Sequence, residues 1–271
     1  MKIRKAVFPV GGLGTRFYPI TKAVPKEMLG IFNKPLIHYA FEEALGAGIE
    51  HFIFVTRQGK NSIEDYFDYV LAHSASFRAE KCTFCYVRQQ VPRGLGHAVL
   101  CAKDLVNDEP FVVISADDFI LSNKSCTKEM IDNYDGRNIA AIMEVSKADV
   151  KKYGIIEPEK EIDKIITAKS VCEKPTEQEA KSNLGIVGRY VLSPKIFDVL
   201  TNLKPGINNE IQLTDALMKL IPSVGLSGFK FEGKRFDCGS EEGLLSAILH
   251  VASSNKKLNN IVESFVKDNQ T

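Results

Sequence analysis

In the first half of the chain, short unbroken apolar runs alternate with amphipathic stretches. Residues 6–10 (Ala-Val-Phe-Pro-Val), 52–55, 84–87, 111–114 and 139–145 are continuous and a few residues long, as in strands covered on both faces. Between the runs, Leu36, Ile37, Ala40, Phe41, Ala44 and Leu45 repeat at helical spacing across 35–47. Ile63, Tyr66, Phe67 and Val70 suggest a second helix, and residues 96–105 a third. Repeated β-α-β units predict a Rossmann-like α/β fold, with a mixed, mostly parallel twisted sheet and helices on both faces. Ligands of such sheets bind beyond the carboxyl ends of the strands. A glycine turn, Gln89 and Asp117 all follow predicted strand ends.

Beyond residue 150 the pattern shortens. Residues 155–156, 165–166 and 185–192 read as strands between charged turns, 193–200 and 210–220 as helices, 229–236 as an alternating strand, and 241–251 as a closing helix. No linker or repeat divides the chain. The expectation is one domain over 1–271, with a β-α-β part in 1–150, a smaller β elaboration in 151–252, and a tail in 253–271. The tail carries an apolar stripe, Ile261, Val262, Phe265 and Val266, suited to packing on the core or on another subunit.

Composition changes little. The 271 residues are 44% hydrophobic and 25% charged, with a formal net charge of +1. That balance gives no bulk attraction to nucleic acid or acidic membranes. No apolar run reaches the length of a membrane span or of a secretory signal, so a cytoplasmic protein is expected. The six cysteines show no second Cys or His pair at metal spacing and read as free thiols in a reducing compartment.

The most specific feature is Gly11-Gly12-Leu13-Gly14-Thr15-Arg16 directly after the first apolar run, followed by Pro25-Lys26-Glu27-Met28-Leu29. Backbone N–H groups of a glycine-rich turn can approach phosphates closely, and Arg16 and Lys26 add two cations. Phe17 stands where a dinucleotide fingerprint needs glycine or alanine, and no Gly-Lys-Ser/Thr closes a Walker loop. A nicotinamide-dependent oxidoreductase and a non-catalytic nucleotide-sugar sensor are thus the more distant alternatives.

These two stretches resemble those of the nucleotide-sugar pyrophosphorylases. So do Gly94-Leu95-Gly96-His97-Ala98, Ala116-Asp117-Asp118, Glu173-Lys174-Pro175, Gly188-Arg189-Tyr190, residues 208–215 and Phe236-Asp237-Cys238-Gly239-Ser240, which follow in the family's order over almost the whole chain. Val10-Gly11-Gly12 stands where the family more often has Ala-Ala-Gly. The resemblance implies uridylyl transfer from UTP to glucose 1-phosphate, giving UDP-glucose and pyrophosphate, with thymidylyl transfer from dTTP as the rival. It implies that Gly11, Gly12, Gly14, Thr15, Arg16, Lys26, Gln89 and Gly94 hold the nucleotide. Gly154, Glu173, Lys174 and Ile186 would hold the sugar phosphate, and Asp117 and Asp237 a Mg²⁺ ion, so that 1–150 would be the mainly nucleotide-binding part and 151–252 the mainly sugar-phosphate-binding part. Arg16, Lys26, Asp117 and Lys174 would be the catalytic set. Whether Asp117 or Asp118 meets the metal stays open, with Asp117 placed first. His97 is expected to serve packing or lie near a phosphate. A homo-oligomer, dimer or tetramer, is also implied.

Overall fold

All five apolar runs of the first half are strands of one nine-stranded sheet. The structure, a computed structural model, describes residues 2–73 and 82–269, so the last two residues of the expected tail fall outside it. In chain order the elements are β1 (Lys5–Pro9), β2 (Gly30–Ile31), β3 (Lys34–Pro35), α1 (Leu36–Gly46), β4 (His51–Thr56), α2 (Asn61–His73), β5 (Thr83–Arg88), α3 (Leu95–Cys101), α4 (Lys103–Val106), β6 (Phe111–Ile114), β7 (Asp118–Leu121) and α5 (Cys126–Asp132). They continue with β8 (Asn138–Glu144), β9 (Gly154–Ile162), β10 (Ile165–Glu173), β11 (Leu184–Leu192), α6 (Ile196–Asn202), α7 (Leu213–Leu220), β12 (Leu226–Lys230), β13 (Lys234–Asp237), α8 (Glu241–Ser254) and α9 (Lys256–Asp268).

The sheet order is β5-β4-β1-β6-β11-β8-β12-β10-β9. The pairings make all but β11 and β10 run the same way. The fold is thus the expected α/β class, and strands from both halves of the chain share the sheet.

Side-chain alternation sorts the continuous runs onto two faces. Val7, Ile53 and Val113 face a core completed by Val99 of α3, Phe197 of α6 and Leu217 of α7. Ala6, Phe8, Phe52 and Phe54 face the other way, onto Phe41 of α1, Phe67 of α2 and Met130 of α5. On that side Phe8 stacks on Phe54 at 4.9 Å and Phe54 on Phe67 at 4.7 Å. Each such phenylalanine contributes about 1.5–3 kcal/mol by burial.

Several boundaries differ from the sequence reading. The helix expected over 96–105 breaks at buried Ala102, where φ −90° and ψ 0° start a new turn. The helices expected from 193 and 210 begin at Ile196 and Leu213. The strand expected over 229–236 is two strands in different sheets, because Gly233 at φ +106° turns the chain between β12 and β13. The short strands near 155 and 165 belong to a pair of nine-residue hairpin strands, β9 and β10, of which β9 is exposed from Pro158 onward. Neither β7 nor α5 has an apolar run long enough to announce it. The polar start of the tail lies partly within α8, and the rest is helix α9, where Ile261 and Phe265 stand 63% and 67% exposed rather than on the core. Among the described residues, no helix is long and apolar enough to cross a membrane.

Buried ionic contacts fix the turn between β6 and β7. Arg189 of β11 is 1% exposed. Its Nε and Nη2 donate to Glu43 Oε2 of α1 at 3.1 and 2.8 Å, its Nη1 to Ser115 O and its Nη2 to Asp118 O, each at 2.8 Å. Glu43 also accepts from Thr127 Oγ1 of α5 at 2.6 Å. Burial works against the Glu43 carboxylate, but Arg189 outweighs it and holds Glu43 below the ordinary carboxylate value. Replacing one partner strands the other charge. Arg189→Met should therefore lower the unfolding free energy in urea by about 3–5 kcal/mol. The double variant Glu43→Leu/Arg189→Met should lose less than that single variant.

Candidate active site

The chain leaves β1 through Val10, whose N–H donates to Val55 O at 3.0 Å, and turns over the carboxyl edge of the sheet. Gly14 sits at φ +67°, which a side chain rarely tolerates, and Thr21 Oγ1 donates to its carbonyl at 2.7 Å. Thr15 and Arg16 are exposed on the following single turn, and Arg16 Nη1 reaches Gly239 O at 3.4 Å. A second single turn, Lys26–Met28, carries Lys26. It is anchored by Glu27, 1% exposed, which accepts from Lys60 Nζ at 2.5 Å. Lys26 Nζ then lies 2.5 Å from Asp117 Oδ2. Burial works against the Lys26 charge, yet Asp117, Glu27 and Asp118 together hold it above the ordinary lysine value. For Asp117 burial likewise opposes the charge, and Lys26 outweighs it, holding the carboxyl below its usual range.

Asp237 reaches the same place through β13, which pairs antiparallel with β7 so that Asp237 faces Asp118 and Phe236 faces Phe119. Phe236 and Phe119 are 4% and 5% exposed and stack at 5.8 Å, pinning the pair beneath α8. Cys238 N donates to Asp117 O at 2.8 Å. A Cβ built on Gly239 would lie 3.0 Å from Asp237 Oδ1 and 3.1 Å from Asp117 Oδ2. These two oxygens, from residues far apart in sequence, therefore converge on one small gap.

Asp118 is committed elsewhere. Its Oδ2 accepts from Gly188 N at 3.0 Å and its Oδ1 from Arg235 Nε at 2.5 Å. Burial raises its carboxyl above the ordinary value despite Arg235. Arg235 also donates to Tyr153 OH at 2.8 Å and stands 3.7 Å from Asp237 Oδ2.

Register in the β9–β10 pair sets Gly154 opposite Glu173. Thr214 Oγ1 donates to Glu173 Oε2 at 2.5 Å, and Lys174 Nζ lies 3.5 Å from Glu173 Oε1. Lys174 adopts φ +47° and its N–H donates to Tyr153 O at 2.9 Å. A cavity of about 500 Å³ joins these groups. Of the sequence-predicted residues, Arg16, Asp117, Gly154, Glu173, Lys174, Ile186 and Asp237 line it. Gly11, Gly12, Gly14, Thr15, Lys26, Gln89 and Gly94 do not. They form a neighbouring group, joined to the cavity by the Lys26–Asp117 pair and by the packing of Gly94 against Glu210.

Two residues that the sequence reading did not place in a site enter it here: Arg235 beside both acidic centres and Thr214 on Glu173. His97, expected in packing or near a phosphate, stands against Gln89, with its Nδ1 at 2.9 Å from Gln89 Nε2. The i, i+2 spacing of Arg235 and Asp237 puts both on one strand face, a signal that was available. Thr214 and His97 had none beyond their motifs. The lining cations Arg16, Lys151, Lys152, Lys174 and Arg235 are equal in number to the carboxylates Asp117, Asp118, Glu173, Glu210 and Asp237. The wall alone therefore offers no excess positive charge to a polyanion. Among the described residues, no three acids, cysteines or histidines form a metal cluster by themselves.

Residues 5–254 match the family model described as nucleotidyl transferase. The chain is 47% identical over 263 residues to UTP–glucose-1-phosphate uridylyltransferase of Pseudomonas aeruginosa, covering 90% of this chain and 94% of that one. It is 38% identical to the enzyme of the same name from Staphylococcus epidermidis, over 98% of both chains. A solved structure of UDP-glucose pyrophosphorylase complexed with UDP-glucose superposes with a TM-score of 0.88 at 45% identity, covering 94% of this chain and all of that one.

The local electrostatics make one direct expectation. In Lys26→Met the strongest stabiliser of the Asp117 carboxylate is gone. Its titration midpoint, read by carboxyl ¹³C NMR, should rise.

Proposed function

The chain belongs to the nucleotidyl transferase family, and we propose that it transfers the uridylyl group of UTP to α-D-glucose 1-phosphate, giving UDP-glucose and pyrophosphate. The observation that carries this reading is the convergence of Asp117 and Asp237 between the Lys26 turn and the Glu173–Lys174 turn. The family match sets the nicotinamide alternative aside. The 38–47% identical relatives named as uridylyltransferases place UTP ahead of dTTP.

The chemistry needs alignment more than activation. The attacking group is a sugar-phosphate oxygen already ionised at neutral pH, so no side chain has to become a nucleophile. That oxygen forms a bond to the α-phosphorus of UTP as the bond from the α-phosphorus to the bridging oxygen breaks, and pyrophosphate leaves with the electron pair. Catalysis then lies in bringing two polyanions together and stabilising charge around the α-phosphorus. In this reading the backbone at Gly11, Gly12, Gly14 and Thr15 and the side chain of Arg16 hold the leaving phosphates. Lys26 meets the nucleotide phosphates, and Gln89 and Gly94 the base. Glu173 accepts from sugar hydroxyls beside Gly154, Ile186 forms an apolar wall, and Lys174 meets the sugar phosphate.

Two converging carboxylate oxygens without a third acid suit a hard divalent cation that keeps phosphate oxygens and waters as its other ligands. The balanced lining suits it too, since the extra positive charge has to come from outside the wall. Asp117 and Asp237 would hold Mg²⁺, which when bound supplies neutralising charge at the phosphates. Asp118, with both oxygens engaged, fits a supporting role. The proposal keeps residues 1–150 as the nucleotide part and 151–252 as the sugar-phosphate part. It includes a cytoplasmic setting, supported by six free cysteines, and self-association, supported by the exposed apolar residues of α9.

The test is pyrophosphate release from UTP, dTTP, CTP and ATP with glucose 1-phosphate and Mg²⁺. UTP should give the highest kcat/KM. A preference for dTTP would replace uridylyl with thymidylyl transfer, and no turnover with any nucleotide would leave a binding protein. Lys26→Ala and Asp237→Asn should each lower kcat by about 10²–10³ with an unchanged circular dichroism spectrum. Glu173→Ala should raise KM for glucose 1-phosphate more than KM for UTP.

A further inference from the structure

We propose that His97 is a positioning residue that locks the Gln89 amide so that its oxygen faces the nucleotide loop, which selects a base carrying an N–H at N3 over one carrying a lone pair there. The inference rests on the nucleotide reading above for the place of the base. The role of His97 and the direction of selection come from the hydrogen bonds themselves.

Gln89 follows β5 and is 4% exposed. Its Nε2 lies 3.3 Å from Gly94 O and 2.9 Å from His97 Nδ1. A carbonyl oxygen can only accept, so the nitrogen of the amide must be the end that faces Gly94. Both amide protons are then used, one on Gly94 O and one on the lone pair of His97 Nδ1. This requires a neutral imidazole with its proton on Nε2. Burial and the nearby Arg93 push the His97 ring below its ordinary value, which keeps it neutral at pH 7. Cys101 Sγ, one turn along α3, stands 4.0 Å from the same Nδ1.

The consequence falls on the other end of the amide. Gln89 Oε1 lies 2.9 Å from where a Cβ of Gly11 would be, against the backbone of the glycine turn. No hydrogen bond from a described residue reaches it. A flipped amide would present its protons to Gly11 and set its oxygen against Gly94 O and the His97 lone pair, losing both bonds at once. The site therefore offers a fixed acceptor. Uracil and thymine donate N3–H to an acceptor. Cytosine has a lone pair at N3 and would meet the oxygen with like charge. The device separates UTP from CTP and leaves UTP and dTTP alike.

The experiment compares wild type, His97→Leu and His97→Asn. Leucine fills similar space without an acceptor, whereas an Asn Oδ1 can take the place of Nδ1. UTP and CTP affinities are measured by calorimetry, and kcat/KM by pyrophosphate release with glucose 1-phosphate. Wild type should favour UTP. His97→Leu should lower the UTP:CTP ratio by about tenfold, the size of one lost neutral hydrogen bond. His97→Asn should keep most of the ratio. An unchanged ratio in His97→Leu, an equal loss in both variants, or equal binding of UTP and CTP to wild type would each overturn the proposal. Wild type that binds UTP over CTP but releases no pyrophosphate would refute the catalytic reading and still support this one.

Discussion

Asp117, Asp118 and Asp237 crowd the junction of β7 and β13, and everything else in the site answers to that crowding. Two unit charges 4 Å apart at an effective dielectric near 20 repel by about 4 kcal/mol. The fold meets this with one cation per role. Arg235 takes Asp118 and leans on Asp237, Lys26 takes Asp117, and Arg189 holds the intervening backbone through Ser115 O and Asp118 O. The opposite pKa directions of the neighbours follow. Asp118 is driven up by burial deep among its partners, whereas Asp117 is held down by a lysine on the cavity side. One carboxylate is locked into the frame, and the other remains exchangeable.

That frame also explains why the site sits where the chain changes direction. Two four-residue strands, too short to be stable alone, carry the acids of both halves to one gap because Phe119 and Phe236 are buried between them and α8. The Glu173–Lys174 turn hangs from the same point, since Arg235 holds Tyr153 OH and Tyr153 O holds Lys174 N. A change at Arg235 thus reaches both the acidic pair and the Glu173–Lys174 turn without a direct contact to either lysine.

Continuous apolar runs were legible as strands because both faces of the central sheet are covered. The helical repeat at 35–47 was legible because only one face of α1 is buried. What stayed hidden was set by tertiary contact. β7 begins at Asp118 and owes its pairing to a partner over a hundred residues away. α5 is a two-turn helix held by Glu43 and Arg189. The split of 229–236 depends on one glycine. The site shows the same division: motif residues were named from resemblance, but the commitment of Asp118 to Arg235 and Gly188, the bond from Thr214 to Glu173, and the His97–Gln89 pair depend on distances between elements that no spacing encodes.

The Lys26–Asp117 pair sets a condition on any polyanion that enters. Lys26 is the cation proposed to meet the nucleotide phosphates and also the compensation for a carboxylate that is largely enclosed. If Lys26 turns to a phosphate alone, Asp117 is left unpaired near Asp237 and Asp118, at a cost of several kcal/mol. A cation held by Asp117 and Asp237 would offset that cost, since Asp117 would keep a positive partner when Lys26 turns away. On the proposed reading, nucleotide and cation would bind best together. The lysine that would hold the phosphates doubles as the group that keeps the acidic gap neutral when they are absent.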